Sequence, residues 1–393
     1  MISRMQKPSL TQSFFLFGPR GTGKTTLIKK LFSSGNPLWI DLLLDDDEER
    51  YSRHPDELEG QVETGKYSRV IIDEVQKAPK LLDIVHRLTG RHPKVQFVMT
   101  GSSARKLKRG GANLLAGRAF TYNLFPLSHL EMGKRFSLDE ALAFGTLPRV
   151  LEFSDPQDKN QFLRAYVRTY LKEEILIEQL VRKIEPFRDF IEIAAQSNGK
   201  IVNYSRIARD VGVDDKTIKT YFDILVDTLI GFYLPSFHRS IRKQQRQSPK
   251  FYLFDPGVQR ALERSLNVPL RKGTYDYGNA FEHFVICECV RYNEYYQLDY
   301  NLSYLRTKDG GEIDLVIARP GLPDLLVEIK SYNRADPLHA KKLKRFADDW
   351  DHKAVGQIWS LDKKPKILHG IECLHWQEGL ATAGLLPGQP LEI

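Results

Sequence analysis

The stretch FFLFGPRGTGKTTLIKKLF, from Phe14 to Phe32, determines how the first part of the chain is expected to fold. It combines an apolar strand, a glycine-rich loop of pattern G-x-x-x-x-G-K-T and an amphipathic helix, in the order that a phosphate-binding loop requires. Consecutive backbone N–H groups of such a loop face phosphate oxygens. Lys24 is expected to reach the β and γ phosphates, and the Thr25 hydroxyl to bind Mg²⁺. The sequence therefore predicts ATP and Mg²⁺ as cofactors, bound by Gly18, Pro19, Arg20, Gly21, Thr22, Gly23, Lys24, Thr25 and Thr26.

Two more apolar runs place polar groups where strands end. RVIIDE ends in Asp73 and Glu74, of which the first is expected to hold the magnesium and the second to polarise the attacking water. Alone, this pair would be better explained as an exposed acidic turn, but the upstream P-loop favours the catalytic interpretation. VQFVMTGSSA ends in the hydroxyls of Thr100, Ser102 and Ser103, and Ser102 is the preferred candidate for a group near the γ phosphate.

The pattern of the whole chain indicates an α/β fold with several domains. Strands at 38–44 and 118–127 alternate with helices, so a mostly parallel, doubly wound sheet is expected. A length of 393 residues exceeds what one hydrophobic core usually serves, which favours two or three domains. No apolar run is long enough to span a bilayer, and the first residues lack the apolar block of a signal peptide. We therefore expect a cytoplasmic protein without a membrane partner.

The middle of the chain has the outline of a DNA-binding unit. Helices are predicted at 187–200, 204–213 and 214–230, followed by two strands joined by the basic loop 239–250, as in a winged helix. Similar helix pairs also contact proteins, and charge runs are often only solvated faces. The basic loop 239–250 is the feature that nevertheless makes DNA the expected partner, and the net charge of +8 is concentrated in such clusters. Basic residues that favour this interpretation are Arg105, Lys106, Lys108, Arg109, Lys216, Lys219, Lys341, Lys342, Lys344 and Arg345.

A second acidic pattern occurs in GGEIDLVIARPGLPDLLVEIK, from Gly310 to Lys330. It predicts a hairpin of two apolar strands with a Pro-Gly turn. Because side chains alternate along a strand, Glu312 lies on the same face as Asp314, and Glu328 on the same face as Lys330. Charged groups on half-buried strands require partners, which could be a metal ion or one another.

The first 130 or so residues resemble the AAA+ branch of P-loop ATPases. The resemblance rests on GPRGTGKT, IIDEVQKAP, MTGSSA and LLAGRAFTYNLFPLS in that order, and it is to a prokaryotic group with a winged-helix segment and a restriction-endonuclease-like C-terminus. It implies that Arg118 is a candidate for the cation that stabilises charge on the γ phosphate. That arginine would act on a neighbouring copy in a homo-oligomer, although pairing with a local carboxylate is an equal alternative.

The C-terminal acids also resemble those of the PD-(D/E)XK nuclease fold. Glu282 on a predicted helix is followed by Asp314, Glu328 and Lys330 on strands, although Ile313 replaces the proline of the pattern. The resemblance implies that Asp314 and Glu328 bind Mg²⁺, that Glu282 completes the site and that Lys330 orients the attacking water. A plain surface ion pair of the E-x-K residues remains the alternative.

These inferences divide the chain into four segments. They are an ATPase core at 1–130, a helical lid or linker at 131–185, a winged-helix domain at 186–265 and a nuclease-like α/β domain at 266–393. The predicted function is that of an ATPase whose nucleotide state controls DNA contact and a Mg²⁺-dependent endonuclease domain. Two alternatives remain open: a nucleotide-gated DNA-binding or scaffold switch with an inactive nuclease-like domain, and a remodeller of a protein partner.

Overall fold

The computed structural model describes residues 2–102, 115, 117–170, 184–238, 247–307, 310–350 and 353–386. The first domain contains β1 Phe14–Phe17, α1 Lys24–Leu31, β2 Leu38–Asp41, α2 Asp45–Arg53, α3 Glu57–Thr64, β3 Arg69–Asp73, α4 Leu81–Arg91, β4 Gln96–Gly101 and β5 Phe120–Asn123. In the described part of this domain, five strands pair in parallel in the order β2-β3-β4-β1-β5. The predicted parallel sheet is therefore confirmed.

Both faces of this sheet are covered, which explains why its strands are continuously apolar. Phe15 and Phe17 of β1 pack into a core with residues of α3 and α4. Phe14 and Leu16 point to the opposite face, where Ile28 of α1 packs against them. Because α1 lies on one face and α3 and α4 on the other, the sheet is doubly wound, as predicted.

The middle of the chain is mainly helical. It contains α5 His129–Met132, α6 Leu138–Phe144, α7 Pro156–Ala165 with a π-helical turn at Tyr166–Tyr170, α8 Ile184–Gln196, α9 Tyr204–Val211, α10 Asp215–Asp227, β6 Gly231–Leu234, β7 Lys250–Leu253 and α11 Pro256–Leu262. The backbone N–H of Thr217 donates to Asp214 Oδ1 over 2.9 Å, which caps the start of α10. One buried core draws residues from 147 to 266, so the segments predicted as lid and winged helix pack together.

The C-terminal part is an α/β layer structure. It contains α12 Tyr275–Tyr295, β8 Asn301–Arg306, β9 Glu312–Ala318, β10 Asp324–Ile329, α13 Pro337–Asp348, β11 Ala354–Ser360, β12 Lys366–Leu368, β13 Ile371–His375 and α14 Trp376–Thr382. Its described strands form a mixed sheet in the order β12-β13-β11-β10-β9-β8. The predicted hairpin is β9 paired antiparallel with β10. Helix α12 covers one face of the sheet and α13 the other.

A buried network of polar groups holds the three parts together. Arg291 of α12 donates to Glu288 Oε1 at 2.9 Å, to the Leu127 carbonyl at 3.0 Å and to the Phe254 carbonyl at 3.2 Å. His129 Nδ1 lies 2.5 Å from Glu288 Oε2. Burial alone would raise the pKa of Glu288, but His129 and Arg291 hold it below its ordinary value. The charged form of this carboxyl is therefore satisfied at the junction between the parts.

Two predicted features fall outside the described residues: most of the basic loop, at 239–246, and the basic cluster from Arg105 to Arg109. Ser103 also lies outside them. Among the helices that are described, none combines the length and the apolar character needed to cross a membrane.

Candidate functional site

The loop after β1 has a backbone that only glycine accommodates. A Cβ atom at Gly18 would lie 2.3 Å from the Leu124 carbonyl oxygen, which is far inside van der Waals contact. Gly21 and Gly23 have φ angles of +80° and +91°, in the left-handed region that other residues rarely adopt. The three glycines of GPRGTGK therefore shape the turn that leads from β1 into α1.

Lys24 lies at the mouth of this loop. Its Nζ atom donates to the Gly18 carbonyl over 2.8 Å and to the Pro19 carbonyl over 3.4 Å. The same atom lies 3.9 Å from Glu74 Oε1, and the Lys24 side chain is only 5% exposed. The predicted phosphate-binding lysine and the predicted water-polarising acid are thus brought together.

The two predicted magnesium ligands of this site are in direct contact. The Thr25 hydroxyl donates to Asp73 Oδ2 over 2.8 Å, and the Thr100 hydroxyl donates to Asp73 Oδ1. Burial raises the pKa of Asp73 above its ordinary value, although both hydroxyls oppose the shift. A hydroxyl and a carboxylate side by side are the oxygen donors that Mg²⁺ prefers, so this pair fits the ion.

Glu74 adopts an unusual backbone conformation. Its φ of +59° lies in the left-handed region, and its N–H donates to Thr100 Oγ1 over 3.1 Å. Gln76 Nε2 donates to Glu74 Oε2 over 2.5 Å and also lies 3.4 Å from Ser102 Oγ. Backbone strain of this kind clusters at functional sites. Thr100 is therefore the hydroxyl that contacts both acids, whereas Ser102 reaches Glu74 through Gln76.

Two residues that were not predicted from the sequence donate hydrogen bonds to the P-loop backbone. Arg4 Nη1 donates to the Thr22 carbonyl over 2.5 Å, and Arg4 Nε pairs with Glu131 Oε1 at 2.9 Å. The Tyr166 hydroxyl donates to the Arg20 carbonyl over 2.8 Å. Both hydrogen bonds join residues that are far apart in the sequence, and no local motif predicts them. The loop is thus tied to the N-terminal segment and to the middle of the chain.

Arg118 lies far from the P-loop of its own chain. It precedes β5, whose first residue pairs with Phe14, whereas the loop follows Phe17 at the other end of β1. A strand of this length spans roughly 13 Å. The exposed Arg118 side chain donates to the His86 carbonyl over 3.0 Å. The structure therefore places the arginine at the amino-terminal end of the strands, whereas the P-loop lies at their carboxyl-terminal end.

The predicted C-terminal acids and lysine meet at one place. Asp314 Oδ2 accepts from Lys330 Nζ over 2.9 Å and from the Ile329 N–H over 2.8 Å. Lys330 Nζ also lies 3.0 Å from Glu328 Oε1. The hairpin β9-β10 thus brings Asp314, Glu328 and Lys330 together on one face, where they pair with one another.

Glu282 of α12 joins this group through residues from the middle domain. The Tyr252 hydroxyl donates to Glu282 Oε1 over 2.7 Å, and Lys250 Nζ lies 3.5 Å from the same oxygen. Lys250 also pairs with Glu312 Oε1 at 2.6 Å. Lys250 was predicted as the last residue of the basic loop 239–250, but it is the first residue of β7, and its side chain is 4% exposed. A lone lysine before an apolar strand is too weak a signal to predict such a contact.

Four acidic side chains, called here the carboxylate cluster, lie in this region: Glu282, Glu312, Asp314 and Glu328. Burial and the nearby Asp314 raise the pKa of Glu328 to about 7 and raise that of Glu282. Burial would lower the pKa of Lys330, but Asp314 and Glu328 raise it instead. Across the described residues, no three His, Cys, Asp or Glu side chains are grouped closely enough to hold a metal ion. Oxygen donors suit Mg²⁺, but here lysines supply the positive charge.

Three family models match consecutive parts of the chain. An AAA domain matches residues 11–133. A domain of unknown function, DUF8612, matches residues 135–269, and another, DUF4143, matches residues 277–369. The first match agrees with the geometry of the P-loop, and the N-terminal domain is therefore an AAA-type P-loop domain.

The chain is similar to curated proteins that are themselves uncharacterized. A protein of Mycobacterium tuberculosis is 27% identical over 313 residues, which cover 78% of this chain and 68% of the relative. A protein of Haemophilus influenzae is 25% identical over 237 residues, covering 56% of this chain and 57% of that relative. The similarity to the first relative extends well beyond the AAA-type domain.

Solved structures superpose only loosely on the chain. The replication initiator DnaA bound to AMPPCP and single-stranded DNA gives a TM-score of 0.30 at 16% identity, covering 56% of this chain and 83% of DnaA. A signal transduction ATPase with numerous domains from Pyrococcus horikoshii gives 0.26 at 15% identity, covering 73% of this chain and 49% of that protein. Scores this low carry no argument about function.

Proposed function

We propose that the protein binds and hydrolyses ATP at the P-loop site, as a cytoplasmic AAA+ enzyme. The observation that carries this proposal is the contact of Thr25 with Asp73, next to Lys24 and Glu74. In a P-loop hydrolase, Lys24 would be the phosphate anchor, Thr25 and Asp73 the two magnesium ligands, and Glu74 the water-polarising acid.

Each residue has a distinct task in this proposal. The loop N–H groups hold the phosphates, and Lys24 moves from its carbonyl partners to the β and γ oxygens. Thr25 and Asp73 hold Mg²⁺, which when bound offsets charge on the γ phosphate. Glu74 accepts the proton of the attacking water, and Gln76 orients that carboxylate through its hydrogen bond.

A second proposed activity belongs to the carboxylate cluster. In this proposal Glu282, Asp314 and Glu328 would close on Mg²⁺ only after the ion pairs of Lys330 open, since they are not grouped for a metal ion as they stand. Lys330 would then orient a water for cleavage of a DNA phosphodiester. The contacts of Lys330 with Asp314 and Glu328, both within 3.0 Å, support a common site. The domain would then be a PD-(D/E)XK nuclease-like domain, with the middle domain as a DNA-contacting winged helix.

One observation favours the alternative of a binding domain without cleavage. Lys250 and Lys330 each pair with two of the four carboxylates, so part of the negative charge is offset without a metal ion. Under this alternative, nucleotide state controls DNA binding or assembly, and the P-loop site is the sole catalytic centre. The contacts of Arg4 and Tyr166 with the P-loop backbone offer a physical link from nucleotide to the rest of the chain.

One experiment separates these proposals. The purified chain would be incubated with circular and linear DNA, with and without Mg²⁺ and ATP, while phosphate release and DNA nicking are measured. Phosphate release with nicking supports both sites, and phosphate release without nicking supports the binding switch. If no phosphate is released with or without DNA, the proposed ATPase activity is wrong.

Arg118 further suggests a homo-oligomer in which the arginine serves a neighbour's nucleotide. Its exposed position at the edge of the sheet away from its own P-loop supports this. Arg118→Ala by itself should abolish ATP hydrolysis, and so should Lys24→Ala by itself. In either variant, every active site lacks one of the two required cations. Mixing the two proteins should restore part of the activity, since some interfaces combine an intact Lys24 with an intact Arg118. Full activity of Arg118→Ala alone would contradict the proposal.

A further inference from the structure

An open cleft of about 660 Å³ lies between the middle domain and the C-terminal sheet. One wall is the first turns of α10, with Lys216 and Lys219, and the opposite wall includes Arg306 at the end of β8. Ser248 lies in the lining between them. The cleft is therefore built by two domains rather than by one motif.

The charge of this cleft is mainly positive. Lys216 and Lys219 are three residues apart on a helix, so they share one face, and both are exposed. Arg306 is also exposed. The acid in the lining, Asp215, accepts a hydrogen bond from the Ser205 hydroxyl at 2.6 Å. Three cations from two domains thus face one channel, which is the pattern that follows a phosphate backbone.

Residues of the cleft lie next to residues of the carboxylate cluster. Arg306 lies opposite Glu312 in the β8-β9 ladder, and Glu312 pairs with Lys250 at 2.6 Å. The Tyr304 hydroxyl donates to the Ser248 carbonyl over 2.7 Å, and the ring of Tyr304 lies 5.4 Å from Lys250 Nζ. Arg306 of the cleft and Glu312 of the cluster are therefore neighbours across the β8-β9 ladder.

We propose that this cleft binds a single strand of DNA, with Lys216, Lys219 and Arg306 on its phosphates, and leads that strand to Asp314 and Lys330. The inference rests on the proposed DNA contact and names its substrate class and path. Three cations in a cleft of about 660 Å³ can follow the phosphates of one unpaired strand. In this proposal the first turns of α10 contact the backbone of that strand.

The test measures binding of the full chain to a short labelled single-stranded DNA and to the matching duplex over a range of salt concentrations. The cleft variant combines Lys216→Gln, Lys219→Gln and Arg306→Gln. A control with the same change in charge combines Lys66→Gln, Lys134→Gln and Arg135→Gln, which are exposed and outside the cleft lining. Thermal melts of both variants confirm that they fold.

For the single strand, the cleft variant should flatten the dependence of log K on log salt by about 2, since each lost phosphate contact removes about 0.7. Its affinity at low salt should fall about tenfold or more, while the control keeps the wild-type slope. Asp215→Asn should bind the strand more tightly, because a negative charge has left the cleft. This change of sign excludes a loss that comes only from damage to the fold.

The possible failures are distinguishable. If the wild type binds single-stranded DNA and the cleft variant keeps both affinity and slope, the cleft is wrong and DNA contact elsewhere stands. If only duplex binding weakens, the single-strand assignment is overturned. If the wild type shows no salt-sensitive binding to either DNA, the inference and the proposed DNA contact fail together.

Discussion

The chain builds two acidic sites that balance their charge in different ways. At the P-loop, Asp73 is hydrogen-bonded by the neutral hydroxyls of Thr25 and Thr100. In the C-terminal domain, Asp314 is paired with the ammonium group of Lys330. Hydroxyls leave the carboxylate negative and available to a cation, whereas a lysine cancels its charge in place.

The difference has a consequence for function. A site that keeps its negative charge requires a cation or a proton to relieve the cost of burial, and the proposed Mg²⁺ would supply that charge. A site whose negative charge is partly offset by Lys250 and Lys330 loses those ion pairs when a metal ion enters. The two sites should therefore differ in how strongly they depend on a divalent cation, and the following experiments test this.

The largest expected effect is on ATP hydrolysis. Lys24→Ala should abolish turnover and weaken nucleotide binding, because the phosphates lose their cation. Glu74→Gln should bind ATP as the wild type does but turn it over about 10²–10⁴-fold more slowly, because the water loses its base. Nucleotide titrations and phosphate-release assays separate the two roles. Equal loss of binding in both variants would show that the roles are misassigned.

The carboxylate cluster should respond next most strongly, if it cleaves DNA. Asp314→Ala should abolish both Mg²⁺ binding and cleavage, because a ligand is lost. Lys330→Met should still bind Mg²⁺ while cleavage falls about 10²-fold, since one stabilising cation is removed from the reaction. A metal titration alongside a nicking assay distinguishes them, and both variants should keep ATP hydrolysis. Wild-type protein that binds Mg²⁺ only together with nucleotide would leave this site as an ion-pair network.

Lys250→Met probes the balance of charge most directly. Removal of one partner from a buried pair costs about 3–5 kcal/mol in general, and the lower end is expected here because the Glu312 side chain is 35% exposed. Chemical denaturation gives the free energy of unfolding. Mg²⁺ should stabilise this variant more than the wild type, because the ion replaces the lost cation.

The matched control for this comparison adds Glu282→Gln and Glu312→Gln to Lys250→Met. Stability should then recover and the response to Mg²⁺ should vanish, since no uncompensated carboxylates remain beside position 250. If Lys250→Met is as stable as the wild type, the pairing of Lys250 with these acids does not stabilise the contact between the middle and C-terminal domains.

The smallest expected effect on stability is at the P-loop site, where neutral hydroxyls rather than lysines contact the acid. Thr100→Val removes the hydroxyl that serves both Asp73 and the Glu74 N–H, and buried groups left without a partner cost about 1–3 kcal/mol. The exposed Thr121→Val on β5 is the matched control and should change little. A loss for Thr100→Val larger than that for Lys250→Met would reverse the proposed contrast between the two sites.

The sequence alone was sufficient to predict the first domain because its determinants are local. The glycines of the P-loop act on backbone angles within a few residues, and alternation of strands with helices requires a parallel sheet. Asp73 and Glu74 could be placed for the same reason, since parallel strands end at one edge. The hairpin that carries Asp314, Glu328 and Lys330 followed from the two-residue period of a strand.

Only the tertiary structure revealed the contacts between distant segments. Lys250 reaches Glu312 and Glu282, and Tyr166 reaches the P-loop, because packing of whole domains brings them together. Periodicity tells which face of an element is buried but not which other element covers it. For that reason the burial of Lys250, the contact of Thr100 with both acids and the basic cleft were decided by three-dimensional packing, which brings together residues far apart in the chain.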